Sequence, residues 1–117
     1  MITLKSYGFK FGRPEANVVF DASYFKNPWR DEAIRSSAFK KDKVLKFMLE
    51  QEGVHEFCEK VRDLIMEYNK LFPDENIQVA VCCSAGEYRS PAIVELVAKM
   101  LPTGFPLIIK HGDNSKI

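Results

Sequence analysis

The stretch IQVAVCCSAGEYRSPAIVELVAKM, residues 77–100, decides the fold. It opens with a β-branched, almost wholly apolar run, as a central strand buried on both faces requires, and such strands belong to parallel sheets. A short loop with one glycine follows. Ser90-Pro91 then opens a helix, with proline at its favoured first position. Ile93, Val94, Leu96, Val97, Met100 and Leu101 supply the buried face of that helix, and FPLIIK, residues 105–110, reads as a last strand. Strand, loop, helix and strand make a right-handed crossover unit. The expectation is an α/β fold: a single small domain over residues 1–117, with a mostly parallel central sheet flanked by helices.

The rest of the chain fits around this unit. Residues 2–9, ITLKSYGF, alternate apolar and polar as a half-buried strand does. Gly12, Pro14 and Asn17 mark a turn, and NVVFDA is a second short strand ending at Asp21. Residues 23–39 show little periodicity and read as a long loop. Lys43 to Gln51 carry a short helix pattern that Gly53 closes. Val54, Phe57, Cys58, Val61, Leu64, Ile65, Tyr68 and Leu71 then keep helical spacing until Pro73. The tail GDNSKI reads as loose.

Composition bounds the function. A formal charge of +1 over 117 residues recruits neither nucleic acid nor an anionic membrane globally, so any basic footprint is local. No apolar run approaches the ~20 residues that span a bilayer, and MITLKSYGFK lacks the apolar stretch of a signal peptide. Three cysteines, Cys58 and the adjacent Cys82 and Cys83, argue against a disulfide framework and for a reducing cytoplasm. His55 and Cys58, one turn apart, lack the further ligands a metal site needs, and no motif requires a cofactor.

The loop carries the chemistry. A strand running through a tight turn into a helix N-terminus is an anion site by geometry, because the first helical N–H groups lack partners. Gly86 can take positive φ and let the amides of Ser84, Ala85, Gly86, Glu87 and Tyr88 form a nest. Arg89 brings a fork that matches phosphate, and Ser90 a hydroxyl. Cys83, six residues before Arg89, lies at the base of that cradle, where a thiolate would be a nucleophile. Cys83, five residues, Arg89 and Ser90 look like the signature loop of protein tyrosine and dual-specificity phosphatases. On that reading Cys83 attacks, Arg89 binds the phosphoryl group, and Asp21 or Asp31 is the candidate general acid. Elsewhere, Arg30, Arg35, Lys40, Lys41, Lys43 and Lys46 form a basic cluster near Tyr24, Phe25 and Trp29, a pattern that can also stack and hold nucleic acid.

A second resemblance reaches further. Ser6, Gly8, Phe9, Lys10 and Gly12, then Val19, Phe20 and Asp21, then Asn27, Pro28 and Trp29 are similar to the opening of the C-terminal domain of the RNase adaptor protein RapZ family. Cys83, Gly86, Arg89 and Ser90 match that family's later loop, and Val54, His55 and Phe57 its intervening helix. The resemblance covers residues 6 to about 95. It implies an α/β domain that binds a phosphorylated small molecule, an amino-sugar phosphate in studied members, with RNA binding and self-assembly in the family. Lys10, Asp21 and His55 are the further ligand-binding positions it points to, and His111, at the end of the last strand, lies where α/β sheets gather ligands, outside the carboxyl ends of strands. Two departures stand out: Glu87-Tyr88 replaces a Lys-His pair, and Ser23 an arginine. The chain has no G-x-x-x-x-G-K-[ST], so it reads as a stand-alone version of the C-terminal half, and ATP use is not carried over.

Overall fold

The computed structural model describes all 117 residues. Four strands form one sheet, β1 (Ile2–Gly8), β2 (Val18–Asp21), β3 (Ile77–Cys83) and β4 (Leu107–His111), in the order β2-β3-β1-β4. Every neighbouring pair is parallel, with Gly8 opposite Cys83 and Asp21 opposite Cys82. Four helices accompany them: α1 (Glu32–Ser36), α2 (Lys41–Leu49), α3 (Val54–Leu71) and α4 (Arg89–Met100). On one face of the sheet, Ile2, Leu4, Val79 and Val81 share a single core with Val44 and Met48 of α2, Val61 and Ile65 of α3, and Ile93, Val94 and Val97 of α4.

Topology explains what covers the other face. The β1-to-β2 connection runs one way along the sheet, and the two later connections run the other way. Right-handed crossovers in opposite directions use opposite faces. Residues 9–17 therefore pass over β3 on the side away from the helices. There Asn17 N donates to the Gln78 carbonyl at 2.8 Å, Gln78 N donates to Asn17 Oδ1 at 2.8 Å, and Lys5 Nζ reaches the Glu15 carbonyl. Under this strap Ala80 and Cys82 are wholly buried, which accounts for small residues at those two outward positions.

The same topology makes the exits of β1 and β3 cross, since each strand must leave over its neighbour. Lys10 N donates to the Ser84 carbonyl at 3.0 Å, and a Cβ on Gly8 would lie 2.5 Å from the Ala85 carbonyl carbon. The crossing needs bare backbone on both sides.

Three sequence expectations need correction. Residues 23–39 are not a plain loop. Asn27 Oδ1 accepts from Trp29 N at 3.1 Å and starts a 3-10 turn at Pro28–Arg30, and Asp31 Oδ1 accepts from Ile34 N at 3.0 Å and caps α1. Both elements are too short to show periodicity. The last helix begins at Arg89, so Pro91 is its third residue, still in the first turn where a missing N–H is tolerated. The tail is not loose: Gly112 N donates to the Ser6 carbonyl and Lys116 N to the Glu87 carbonyl, each at 3.0 Å, while Ile117 packs against the core.

Candidate functional site

Residues 84–88 join the buried end of β3 to the start of α4. Gly86 sits at φ +71, and a Cβ there would lie 2.8 Å from Gly8 N, so both conformation and space demand glycine. The backbone N–H groups of Ser84, Ala85, Gly86, Glu87, Tyr88 and Arg89 donate to no acceptor in the protein. Only Ser90 N finds one, the Cys83 sulfur, at 3.4 Å. Buried main-chain donors are almost always paired, yet Gly86 and Tyr88 are buried. Six unpaired amides in series at a helix N-terminus are the material of an anion site.

Arg89 adds a second anomaly. It is 9% exposed, has no carboxylate within ion-pair distance, and sits at the first position of α4, where the helix dipole disfavours a cation. Its Nη1 donates to the Ser23 carbonyl and, at 3.1 Å, to the Phe25 carbonyl, and Nη2 reaches Ser84 Oγ at 3.4 Å. The guanidinium thus ties the loop to the segment after β2. Its Nε–H and one Nη2–H have no protein partner. Asp21 stands beside this tie, but its Oδ1 accepts from Ser23 N at 2.8 Å and Ser23 Oγ at 2.5 Å.

Cys83 is 2% exposed at the base of the loop. Its thiol donates to Ser90 Oγ at 3.3 Å, and Ser90 Oγ donates to the Tyr7 carbonyl at 3.3 Å. The other cysteines are core residues: burial pushes the Cys58 thiol up to about 12 and the Cys82 thiol up to about 11.

Two neighbours of the loop escape sequence reasoning. The first is an aromatic stack. The Tyr88 ring lies 4.4 Å from Phe39 at 21°, and Phe39 lies 5.4 Å from Trp29 at 4°. Burial raises the Tyr88 hydroxyl pKa above its ordinary value. The second is a cleft of about 270 Å³ on the β4 side, lined by Tyr7, Gly8, Phe11, Ala85, Gly86 and the tail residues Gly112, Asp113 and Asn114. The tail also reaches the loop itself, where Lys116 Nζ lies 3.7 Å from Glu87 Oε2. Only the glycines and the aromatic Tyr7 and Phe11 could have signalled the cleft, and only to a reader who knew that β1 and β4 are adjacent.

The other expected positions are spread out. Lys10 reaches the loop through its backbone, while its ammonium lies 5.3 Å from the Phe11 ring centre. His55 is a half-exposed α3 side chain 3.4 Å from Glu59, and no contact brings it to the loop. His111 links strands to helix: Nδ1 is 2.8 Å from Ser6 Oγ and Nε2 is 2.9 Å from Glu95 Oε2. Burial alone would push Glu95 up, but hydrogen bonds from Lys41 and His111 hold its carboxyl below the usual range. Asp31 serves as the α1 cap. Within the basic cluster Lys41 pairs with Glu95, Lys46 lies 3.9 Å from Glu50, and Arg35 lies 6.0 Å from the Trp29 ring. No helix is long and apolar enough to cross a membrane.

The family model described as the RapZ C-terminal domain matches residues 1–115. Similar proteins include a nucleotide-binding protein of Geobacillus thermodenitrificans, 28% identical over 96% of this chain and 39% of its own length. Others are nucleotide-binding proteins of Caldicellulosiruptor saccharolyticus, 31% identical over 99% of this chain and 41% of its own length, and of Desulfovibrio desulfuricans, 33% identical over 94% and 37%. The chain spans about two fifths of the length of the curated relatives it matches. With residues 1–115 matched, nearly its whole length, this chain belongs to the RapZ C-terminal domain family.

Proposed function

We propose that this domain binds a phosphate-bearing ligand, a sugar phosphate or a nucleotide, in the loop Ser84–Ser90. The observation that carries the reading is the run of six unpaired amides ending at Arg89, a buried guanidinium with no carboxylate partner. A phosphoryl group supplies acceptors for the amides and the counter-charge that Arg89 lacks. Ser84 Oγ and the two remaining guanidinium donors complete the cradle, with Lys10 and Asp21 at its rim. The relatives' name, nucleotide-binding protein, is compatible with such a ligand. RNA contact and self-assembly rest on family resemblance alone.

A cysteine-dependent phosphatase is the second reading, favoured by the Cys83 sulfur lying 3.3 Å from Ser90 Oγ. In that chemistry Cys83 Sγ would form a bond to phosphorus as the P–O ester bond breaks and the thiol's proton passes to the leaving oxygen. Water would then attack phosphorus, break the S–P bond, release phosphate and return a proton to sulfur.

One experiment separates the two. Thermal unfolding is followed with added inorganic phosphate, a hexose phosphate and a nucleoside monophosphate, and turnover is followed with an aryl phosphate. Ligand at a hundred times its Kd should stabilise the fold by about 2.7 kcal/mol, and Arg89→Met should abolish the shift. Binding without turnover supports the binding domain. Turnover that disappears in Cys83→Ser overturns it in favour of the phosphatase. No stabilisation by any of the three ligands, with no turnover, sinks the anion site.

A further inference from the structure

We propose that Phe39 is a positioning residue for the anion loop, and that the Trp29–Phe39–Tyr88 stack couples occupancy of the loop to residues 27–40. The inference rests on the phosphate-binding reading above and extends it to a part of the chain with no place in the cradle.

The first observation is backbone conformation. Ala38 at φ +56 and Phe39 at φ +54 are the only non-glycine residues with positive φ in the chain, and they are consecutive. L-residues avoid this region, so the surroundings must over-determine it. Two main-chain bonds, Ala38 N to the Arg35 carbonyl at 3.1 Å and Phe39 N to the Ile34 carbonyl at 3.2 Å, close the turn. The gain specific to this conformation is the placement of the Phe39 ring between Tyr88 and Trp29, 4.4 and 5.4 Å from their centres.

The second observation is where the stack ends. Tyr88 precedes α4 and is 4% exposed, so its clamped ring fixes the backbone at the junction of loop and helix. The Tyr88 and Arg89 amides are two of the six unpaired donors. Phe39 thereby sets the orientation of donors it does not touch.

The third observation is a double grip. Arg89 holds the Ser23 and Phe25 carbonyls while Tyr88 holds Phe39, so two adjacent loop residues bind both ends of one segment. An anion bound to the free donors of Arg89 and to the Tyr88 amide pulls on both residues that make these contacts and so redistributes them. Trp29, at the far end of the stack, is 53% exposed and is the single tryptophan of the chain, so its emission reports that redistribution.

The test titrates the full chain with inorganic phosphate, reading heat for binding and Trp29 emission for coupling. In the wild type the two curves should coincide. Phe39→Ala should weaken phosphate binding about tenfold, a usual size for coupling between sites, and abolish the emission response. Phe39→Tyr should restore both, and Ala38→Gly should leave both unchanged. Unchanged affinity in Phe39→Ala, or binding heat in the wild type without an emission change, overturns the proposal. Absence of binding heat in the wild type would instead defeat the anion site. Coupling is then read without ligand: Tyr88→Leu should alter Trp29 emission, and an unaltered spectrum overturns the stack as a connection. Chemical denaturation of each variant confirms that it is folded at the assay temperature.

Discussion

On its β1 side the loop from Ser84 to Tyr88 is held by backbone against backbone; on its β2 side it is held by side chains reaching across a gap. At the first contact Gly8 and Gly86 meet with no space for a Cβ on either. At the second, Arg89 and Tyr88 extend to Ser23, Phe25 and Phe39. A backbone contact has one geometry and fixes where the loop begins. Side-chain contacts have rotamers and alternative partners, and so can adjust. The difference assigns rigidity to the crossing and adjustability to the segment after β2.

The sharpest way to break this comparison is Gly8→Ala. Gly8 has φ −110 and ψ 127, which any residue adopts, so the penalty is purely steric. With Ala85 carbon 2.5 Å from the new Cβ, the fold should lose about 3 kcal/mol and melt about 10 °C lower. Gly104→Ala is the control, since Gly104 has φ +82 but nothing within 4 Å of a Cβ. It should cost only about 1 kcal/mol. If the two variants melt together, the crossing is not rigid and the contrast between the two sides fails.

What could be read from the chain follows the same division. The β3–loop–α4 unit is local: an apolar run, one glycine and a helix start announce it within about twenty residues. The parallel sheet followed from that unit. Arg89 is visible as a candidate, but its grip on Ser23 and Phe25 is not, because those carbonyls lie 66 and 64 residues away in the chain, after a strand whose place beside β3 no local pattern announces. Gly8 reads only as the end of the first strand, and only the strand order β2-β3-β1-β4 shows which backbone it meets. The short elements at Pro28–Arg30 and Glu32–Ser36 were hidden because caps, not periodicity, define them. The tail was misread because its acceptors, on Ser6 and Glu87, are supplied by distant parts of the chain.

Between the two kinds of contact lies the polar tie of Ser6, His111, Glu95 and Lys41, which fastens β4 to β1, α4 and α2. Glu95 has a lowered folded pKa, so its stabilising contribution is full above the ordinary value of 4.5 and is lost as pH falls through the folded value. Comparing urea unfolding at neutral pH and near pH 3, Glu95→Gln should show a smaller acid loss than the wild type, by about 1 to 2 kcal/mol. Equal losses would mean that solvent already screens the tie. The position of the loop would then depend on the glycine crossing and the Arg89 grip alone.

The smallest expected effect addresses the adjustable side directly. Ala38→Gly removes a Cβ from a residue at φ +56 and leaves the Phe39 stack untouched. Glycine meets little penalty at positive φ, but it also enlarges the conformational freedom of the unfolded chain, and the two effects have opposite sign. The first is the larger for a residue held in the left-handed region, so the net should be a gain of about 0.5 kcal/mol, measured as a rise in Tm of about 2 °C. A fall in Tm would show that this turn carries no strain worth relieving. Residues 38 and 39 would then hold their conformation without the stack, and the side chains after β2 would be as fixed as the glycines beside β1.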